Sequence, residues 1–86
     1  MSPDGNKIFE VKAQISGVFF RAASPEAPSY VELGQEVQPK QVLCLLETMK
    51  LFSKVKSSVK GKVVEIIPKN EEAVVKDQVL FRIQQM

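Results

Sequence analysis

One lysine of this chain stands in an unusual setting. Lys50 lies between two apolar residues, Met49 and Leu51, and follows Glu47 and Thr48. A tight turn between strands favours Gly, Asn, Asp or Pro, whereas apolar side chains at an exposed turn promote association with other molecules. The segment therefore has two interpretations. Either it presents the charged amine of Lys50 for recognition by another macromolecule, or Met49 packs onto the end of the domain beside an ordinary solvated lysine.

Few other side chains could do chemistry. The 86 residues include no His and one cysteine, so a His-based triad, a His-ligated metal ion or a Cys-rich zinc site cannot be assembled. Cys44 has no partner for an internal disulfide bond, and its apolar neighbours in the sequence predict a small core residue. A chain this short forms one domain without a cleft between two lobes. We therefore expect no self-sufficient enzyme and no metal site.

Net charge and the start of the chain exclude some partners and locations. A formal charge of +2 is too small to indicate binding to nucleic acid or membranes, and no apolar run approaches the roughly 20 residues of a membrane span. Residues 1–7 are polar and lack the apolar stretch of a signal peptide. They are expected to be a flexible lead to one domain over residues 8–86. The expected location is the cytoplasm, or a plastid if a transit peptide has been removed.

Apolar and polar residues alternate along much of the chain, which predicts strands. The alternation is interrupted by turn residues such as Gly17, Gly34, Pro39 and Gly61, and no window keeps a helical period. We therefore predict an all-β domain with eight strands, near residues 8–13, 17–21, 35–38, 42–47, 51–57, 61–67, 73–76 and 79–84. So many strands in a short chain have to curl into a flattened barrel or sandwich, because open sheet edges promote aggregation.

The chain contains an internal repeat. A shift of 44 places Val11 on Val55 and Gly17 on Gly61, and a shift of 37 places apolar residues 42–46 on residues 79–83. This predicts two quasi-symmetric halves of four strands each. The two shifts differ by seven, so the first half carries an insertion of about seven residues. It falls between Phe20 and Gly34, in a Pro/Ala/Ser segment over residues 22–29 that has no strand or helix pattern.

The repeat also locates Lys50. The shift of 37 places residues 47–49 on residues 84–86, so the connection between the halves occupies the position at which the second half ends. Residues 48–51 are therefore expected to form a hairpin at one end of the barrel, with the chain termini near the other. Lys50 would be presented at the tip of this hairpin.

The segment Glu47, Thr48, Met49, Lys50, Leu51 resembles the biotin-attachment motif Glu-Ala-Met-Lys-Met of biotin carboxyl carrier proteins. Strands, spacing, glycines and repeat are similar to the biotinyl/lipoyl domain over roughly residues 9–84. The insertion resembles the thumb of the acetyl-CoA carboxylase carrier, which lipoyl domains lack. Thr48 and Leu51 replace the usual Ala and Met. Glu-Thr also precedes the lysine of many lipoyl domains, but Met49 stands where those domains have Asp.

The resemblance implies that biotin is joined covalently to Lys50 and carries a carboxyl group from a biotin carboxylase to a carboxyltransferase, with acetyl-CoA as the expected acceptor. Lys50 would be the attachment point and take no part in acid–base catalysis. A biotin protein ligase would read the neighbouring residues Glu47, Thr48, Met49 and Leu51. The thumb would lean over the biotin ring through Ser24, Pro25, Glu26, Ala27 and Pro28.

Two alternatives remain at this stage. The first is a lipoyl carrier domain of a 2-oxoacid dehydrogenase complex. The second is a small non-catalytic β-barrel that only binds, for example RNA, through Phe52 and the basic stretch of Lys54, Lys56, Lys60 and Lys62. That stretch could also meet an acidic partner surface, although a solvated strand face is the simpler interpretation. Nucleic acid is not an expected partner.

Overall fold

The computed structural model describes residues 7–86, which form two four-stranded antiparallel sheets. The strands are β1 (Ile8–Lys12), β2 (Gly17–Phe20), β3 (Glu36–Val37), β4 (Val42–Thr48), β5 (Leu51–Lys56), β6 (Gly61–Ile66), β7 (Ala73–Val74) and β8 (Val79–Gln85). One sheet has the order β1-β8-β6-β3 and the other has the order β5-β4-β2-β7. The predicted all-β class and the eight predicted strands are confirmed, although β3 and β7 are only two residues long. Within these residues no helix is long and apolar enough to cross a membrane.

The two sheets are related by the internal repeat. Adding four to the number of each strand in the first half, and subtracting four from each strand in the second half, turns one sheet order into the other. Val11 pairs with Phe81 between β1 and β8, and the equivalent residues Val55 and Cys44 pair between β5 and β4. Both strand pairs are irregular at the same place, next to Lys12 and next to Lys56. The halves therefore interleave, and each contributes two strands to each sheet.

The core lies between the sheets and takes apolar side chains from both. Phe19 of β2 and Phe81 of β8 meet there with ring centroids 5.9 Å apart. Each fully buried aliphatic or aromatic side chain contributes roughly 1.5–3 kcal/mol of transfer free energy. Cys44 is buried in this cluster, as predicted. The buried residues of this core cluster are Val11, Ala13, Phe19, Val31, Val37, Leu43, Cys44, Leu46, Val63, Val74, Leu80, Phe81 and Ile83.

Four turns at residues 32–35, 38–41, 69–72 and 75–78 share one construction. In each, the backbone N–H of the first residue donates to the side-chain oxygen of a Gln or Glu three residues later. The backbone N–H of that Gln or Glu donates in turn to the carbonyl of the first residue. The third residue has positive φ: Gly34, Lys40, Glu71 and Asp77. A positive φ at this position is typical of a type II turn. The repeat therefore extends to the turns, even where glycine is replaced.

The predicted insertion is a short hairpin, which we call the thumb (residues 21–30). Tyr30 N–H donates to the Arg21 carbonyl (2.8 Å), and Ala22 and Ser29 form a single β-bridge. Ala27 N–H donates to the Ser24 carbonyl (3.1 Å) and closes the turn at the end. The segment thus has more order than its composition predicts, because backbone pairing at its base does not need a strand-forming side-chain pattern.

The predicted lead over residues 1–7 falls outside the described residues except for Lys7. The carbonyl of Lys7 accepts a hydrogen bond from Gln85 N–H at 2.9 Å, so the first described residue is paired with the end of β8. Under the repeat this pair is equivalent to the pairing of Leu51 with Thr48 at the central hairpin. The β1–β8 pair thus occupies in one sheet the position of the β4–β5 hairpin in the other.

Candidate functional site

The connection between β4 and β5 is a two-residue turn made of Met49 and Lys50. Thr48 pairs with Leu51 across it, and both turn residues have positive φ, 51° for Met49 and 67° for Lys50. This is the backbone signature of a type I′ hairpin, which normally selects Asn and Gly. Met49 is 91% exposed and therefore does not pack onto the end of the domain. Lys50 is also exposed, so the turn presents its amine to solvent.

β2 packs closely against the base of this hairpin. Glu47 pairs with Val18 of β2 on one side and with Phe52 of β5 on the other. A Cβ atom at Gly17 would lie 2.5 Å from the Glu47 carbonyl oxygen, closer than two such atoms can pack. Gly61 plays the equivalent part against Gln84 in the other sheet. The two glycines found by the repeat are therefore needed for strand contact, and Gly17 fixes the strand that carries Lys50.

Exposed apolar side chains surround the charged amine of Lys50 at the hairpin tip. Leu51 is 71% exposed and Phe52 is 58% exposed, beside the exposed Met49. Among residues 7–86, the ion pairs involve Arg21 and Arg82, and neither Lys50 nor Glu47 takes part in one. An exposed apolar group of this kind is typical of a recognition surface. The tip can therefore bind another protein while its single amine remains accessible.

A cavity of about 230 Å³ lies beside the hairpin, between β5 and the thumb. Phe20 and Phe52 line it, with ring centroids 5.9 Å apart. Asn70 lies at its rim and accepts a hydrogen bond from Arg21 N–H through Oδ1 (2.9 Å). That bond fixes the amide orientation and leaves the Nδ2 group as a donor. The cavity thus combines aromatic walls with a polar rim, as small-molecule sites commonly do.

Only two of the five thumb residues that were expected to lean over biotin line this cavity. Ser24 and Pro25 line it, together with Ala22 and Ala23, whereas Glu26, Ala27 and Pro28 do not. Sequence reasoning missed four further lining residues, namely Phe20, Phe52, Asn70 and Glu71. Phe52 could have been found because it is an apolar residue two positions after Lys50. No sequence pattern marks Asn70 and Glu71, because they reach the cavity only through the pairing of β2 with β7.

The basic stretch does not form one face. Lys54 and Lys56 lie on β5 in one sheet, and Lys62 lies on β6 in the other. Phe52 packs against Phe20 at the cavity, with ring centroids 5.9 Å apart. The basic stretch that an RNA-binding barrel would use is therefore divided between the two sheets.

A rigid all-β sandwich that presents one lysine at a hairpin tip defines a carrier domain for a covalently attached group. Residues 9–83 match the biotin/lipoyl family, described as "Biotin-requiring enzyme". The chain belongs to this family. The resemblance drawn from the sequence is thereby confirmed, and biotin as the expected cofactor agrees with the family description.

Three relatives are biotin carboxyl carrier proteins of acetyl-CoA carboxylase. The protein from Nostoc sp. is 38% identical over 77 residues, which are 90% of this chain and 42% of that protein. The Pseudomonas aeruginosa protein is 38% identical over 73 residues, 85% of this chain and 47% of that protein. A chloroplastic protein from Glycine max is 36% identical over 74 residues, 86% and 28% respectively. This chain thus spans less than half the length of these relatives.

Solved structures agree on the fold. The whole chain superposes on part of a single-chain, multi-domain long-chain acyl-CoA carboxylase with a TM-score of 0.78 and 15% identity, covering 8% of that chain. It also superposes over 96% of its length on 6% of the urea carboxylase of Kluyveromyces lactis, with a TM-score of 0.74 and 22% identity. At these identities the likeness concerns the fold alone.

Proposed function

We propose that this chain is the biotin carboxyl carrier domain of an acetyl-CoA carboxylase, with biotin attached through an amide bond to Nζ of Lys50. The observation that carries the proposal is the exposed Lys50 at the tip of a type I′ hairpin, inside a segment similar to the biotin-attachment motif. The names of the relatives support the carboxylase. The domain is a carrier and not a catalyst, and its partners are a biotin carboxylase and a carboxyltransferase.

The fold explains how such a carrier works. Attached biotin supplies a ureido nitrogen that accepts and releases a carboxyl group. Lys50 provides the tether, and the paired strands β4 and β5 hold its backbone in a fixed direction. A tether replaces diffusion by a high effective concentration at each partner site. The amide bond also removes the charge of Lys50, so the formal charge falls from +2 to +1.

The exposed residues around Lys50 are the proposed recognition surface for a biotin protein ligase. Met49 and Leu51 offer apolar contacts on both sides of the lysine. Glu47 and Thr48 lie half-buried at the base of the turn, where they set its direction more than they offer contact area. Recognition of the tip therefore falls mainly to the two apolar neighbours.

The cavity beside the thumb is the proposed resting place of the biotin ring. Phe20 and Phe52 provide apolar walls, and the Nδ2 group of Asn70 can donate to the ureido oxygen. Pro25 limits the entropy that the thumb loses when it covers a ligand. Phe52 lies two residues from Lys50, about 7 Å along a strand, so the tether has to fold back along β5.

The relatives come from bacteria and from plastids, as the chloroplastic soybean protein illustrates. We place this carrier accordingly in the bacterial cytoplasm or in a plastid stroma. The acetyl-CoA acceptor likewise rests on the names of the relatives and is tested through carboxyl transfer.

The attachment site can be tested by co-expression with a biotin protein ligase. Streptavidin should detect the unchanged protein but not Lys50→Arg. The matched control is Lys54→Arg, which makes the same substitution at another exposed lysine, on β5, and should still be detected. A signal that survives Lys50→Arg would refute the site. Intact mass gives a second readout, because a lipoyl-sized increment without biotin would identify the chain as a lipoyl carrier.

The thumb can be tested by replacing residues 23–28 with Asn-Gly, which closes a two-residue turn between the bridged residues Ala22 and Ser29. None of the removed residues belongs to the core, so the fold and biotinylation should persist. Amide shifts of Phe52 and Asn70 on biotinylation should disappear, and transfer of the carboxyl group should slow. Unfolding of the variant would show that the thumb is structural.

A further inference from the structure

A second groove lies away from the Lys50 hairpin. It has a volume of about 430 Å³ and runs between β1 of one sheet and β5 of the other. Lys12 lies on one side of it and Lys54 and Lys56 on the other, around Val11 and Val55. Because Lys12 and Lys56 are equivalent under the repeat, the groove follows the pseudo-symmetry of the fold.

The charge of the groove is positive and uncompensated. Its one acidic residue, Glu10, accepts a hydrogen bond from Nε of Arg82 at 3.2 Å, so three lysines face a single carboxylate that already has a partner. Arg82 also binds Glu65, and these two carboxylates raise the pKa of its guanidinium. None of the three groove lysines forms an ion pair within residues 7–86. The groove therefore attracts negative charge even though the whole chain has a net charge of only +2.

The backbone on both sides of the groove can also bind. β1 and β5 are terminal strands of their sheets, and no backbone hydrogen bond joins one to the other across residues 7–86. The groove-facing N–H and C=O groups of two strands are therefore available to an incoming strand. Lysines at such an edge discourage pairing with neutral strands, but an acidic strand removes that penalty.

We propose that this groove binds an extended acidic segment of a partner protein, which adds as a strand to the edge of β5 and places carboxylates against Lys12, Lys54 and Lys56. Strand addition supplies backbone hydrogen bonds, and the alternate side chains supply selectivity. A protein strand fits better than single-stranded RNA. Phe9, the aromatic residue of the groove, is packed against the core and offers no face for stacking bases.

The position of the groove allows a partner to stay bound while the hairpin works. Lys54 lies on β5 four residues after Lys50, about 13 Å away for extended backbone. A segment held at the groove therefore leaves the exposed tip uncovered. Binding at the groove does not depend on the modification of Lys50, so it can fail or succeed independently of the proposed carrier function.

The experiment is a titration of the isotope-labelled full chain with an eight-residue peptide of alternating Glu and Val. Amide shifts should concentrate on β1 and β5. The double variant Lys54→Glu/Lys56→Glu should bind at least tenfold more weakly, whereas Lys60→Glu/Lys62→Glu, with the same change of charge, should stay within twofold. Raising the salt from about 20 to about 300 mM should weaken binding severalfold.

Three results would overturn the proposal. One is equal loss of affinity in the two double variants, which would mean that only net charge matters. Another is a set of amide shifts spread evenly over the surface. The third is equal binding of an eight-nucleotide oligouridine at β1 and β5, which would identify a general polyanion site. If a charge-reversed variant unfolds, Lys54→Gln/Lys56→Gln tests the same contacts, with an expected loss of at least threefold.

Discussion

Two residues of the hairpin tip adopt a backbone conformation that their side chains disfavour. Met49 and Lys50 both have positive φ, which costs a residue with a Cβ atom about 1 kcal/mol relative to glycine. Lys40 also has a positive φ, in the separate turn at residues 38–41. Backbone strain alone is therefore not a mark of function here. What distinguishes the tip is that both strained residues are exposed and adjacent.

This comparison yields a prediction with an internal control. Met49→Gly and Lys40→Gly should each raise the free energy of unfolding by about 0.5–1 kcal/mol, because each removes a side chain from a positive-φ position. Only Met49→Gly should slow biotinylation by the ligase, because only it removes an apolar contact beside Lys50. Urea unfolding and timed streptavidin blots measure the two effects. Equal biotinylation rates for both variants would exclude Met49 from recognition.

Cys44 makes stability depend on pH in the alkaline range. Burial raises the pKa of its thiol from about 9 to about 12. Below pH 9 the thiol is protonated in both states and its contribution is constant. Between pH 9 and 12 the unfolded chain releases the proton and the folded chain does not, so the free energy of unfolding should fall by up to about 1.4 kcal/mol per pH unit.

The control for this prediction is Cys44→Ala. It should be less stable at neutral pH, because it leaves a space in the core, but its stability should decline less steeply above pH 9. Urea unfolding at pH 8, 9, 10 and about 11 compares the two slopes. Parallel slopes would show that Cys44 does not determine the decline in stability above pH 9.

At the scale of elements, the strands could be predicted from the sequence but their partners could not. Alternating apolar residues, two dense apolar runs over residues 42–46 and 79–83, and the turn residues between them predict the eight strands, because these patterns are local. The repeat predicts which strands are equivalent, such as β1 and β5, without indicating that they belong to different sheets. The cavity depends on that missing information, since Phe20 and Asn70 meet only after β2 has paired with β7. The Lys50 hairpin was predictable because it is local.

The two close strand contacts allow a prediction about the glycines. Gly17→Ala and Gly61→Ala should each lower the free energy of unfolding by about 1–3 kcal/mol, since a Cβ atom would overlap backbone of the paired strand. The loss should be larger for Gly61, where the Ile83 side chain also lies in the way. Gly34→Ala meets no atom within 4 Å and should cost about 1 kcal/mol through its φ of 87° alone.

The Gly17→Ala and Gly61→Ala variants also separate stability from function. Gly17 contacts the strand segment that carries the hairpin, through Glu47, whereas Gly61 contacts the end of β8. At a temperature where all variants remain folded, Gly17→Ala should therefore reduce the rate of biotinylation and Gly61→Ala should not. Equal rates would mean that the hairpin direction does not depend on β2.

At the scale of the whole molecule, the pseudo-symmetry relates the start of β1 and the end of β8 to the two strands of the Lys50 hairpin. Thr48 and Leu51 are equivalent to Gln85 and Lys7, and both pairs face each other across neighbouring strands. One half of the repeat connects its strands through Met49 and Lys50, whereas the other leaves the corresponding strands unconnected. The pairing of β1 with β8 thus forms without a turn that joins the two strands.

This equivalence predicts a circular permutant. Joining Gln85 to Lys7 through Asn-Gly should form a type I′ hairpin in place of the termini, and the chain can then be opened in the thumb between Glu26 and Ala27. The free energy of unfolding of the permutant should lie within about 1 kcal/mol of that of the parent, since the removed and added loops are both short. Lys50 should still be biotinylated. Opening the same chain inside β4, between Leu43 and Cys44, should prevent folding. If the thumb-opened permutant folds only with a long Gly/Ser linker, the Lys7–Gln85 pair is not equivalent to the Leu51–Thr48 pair.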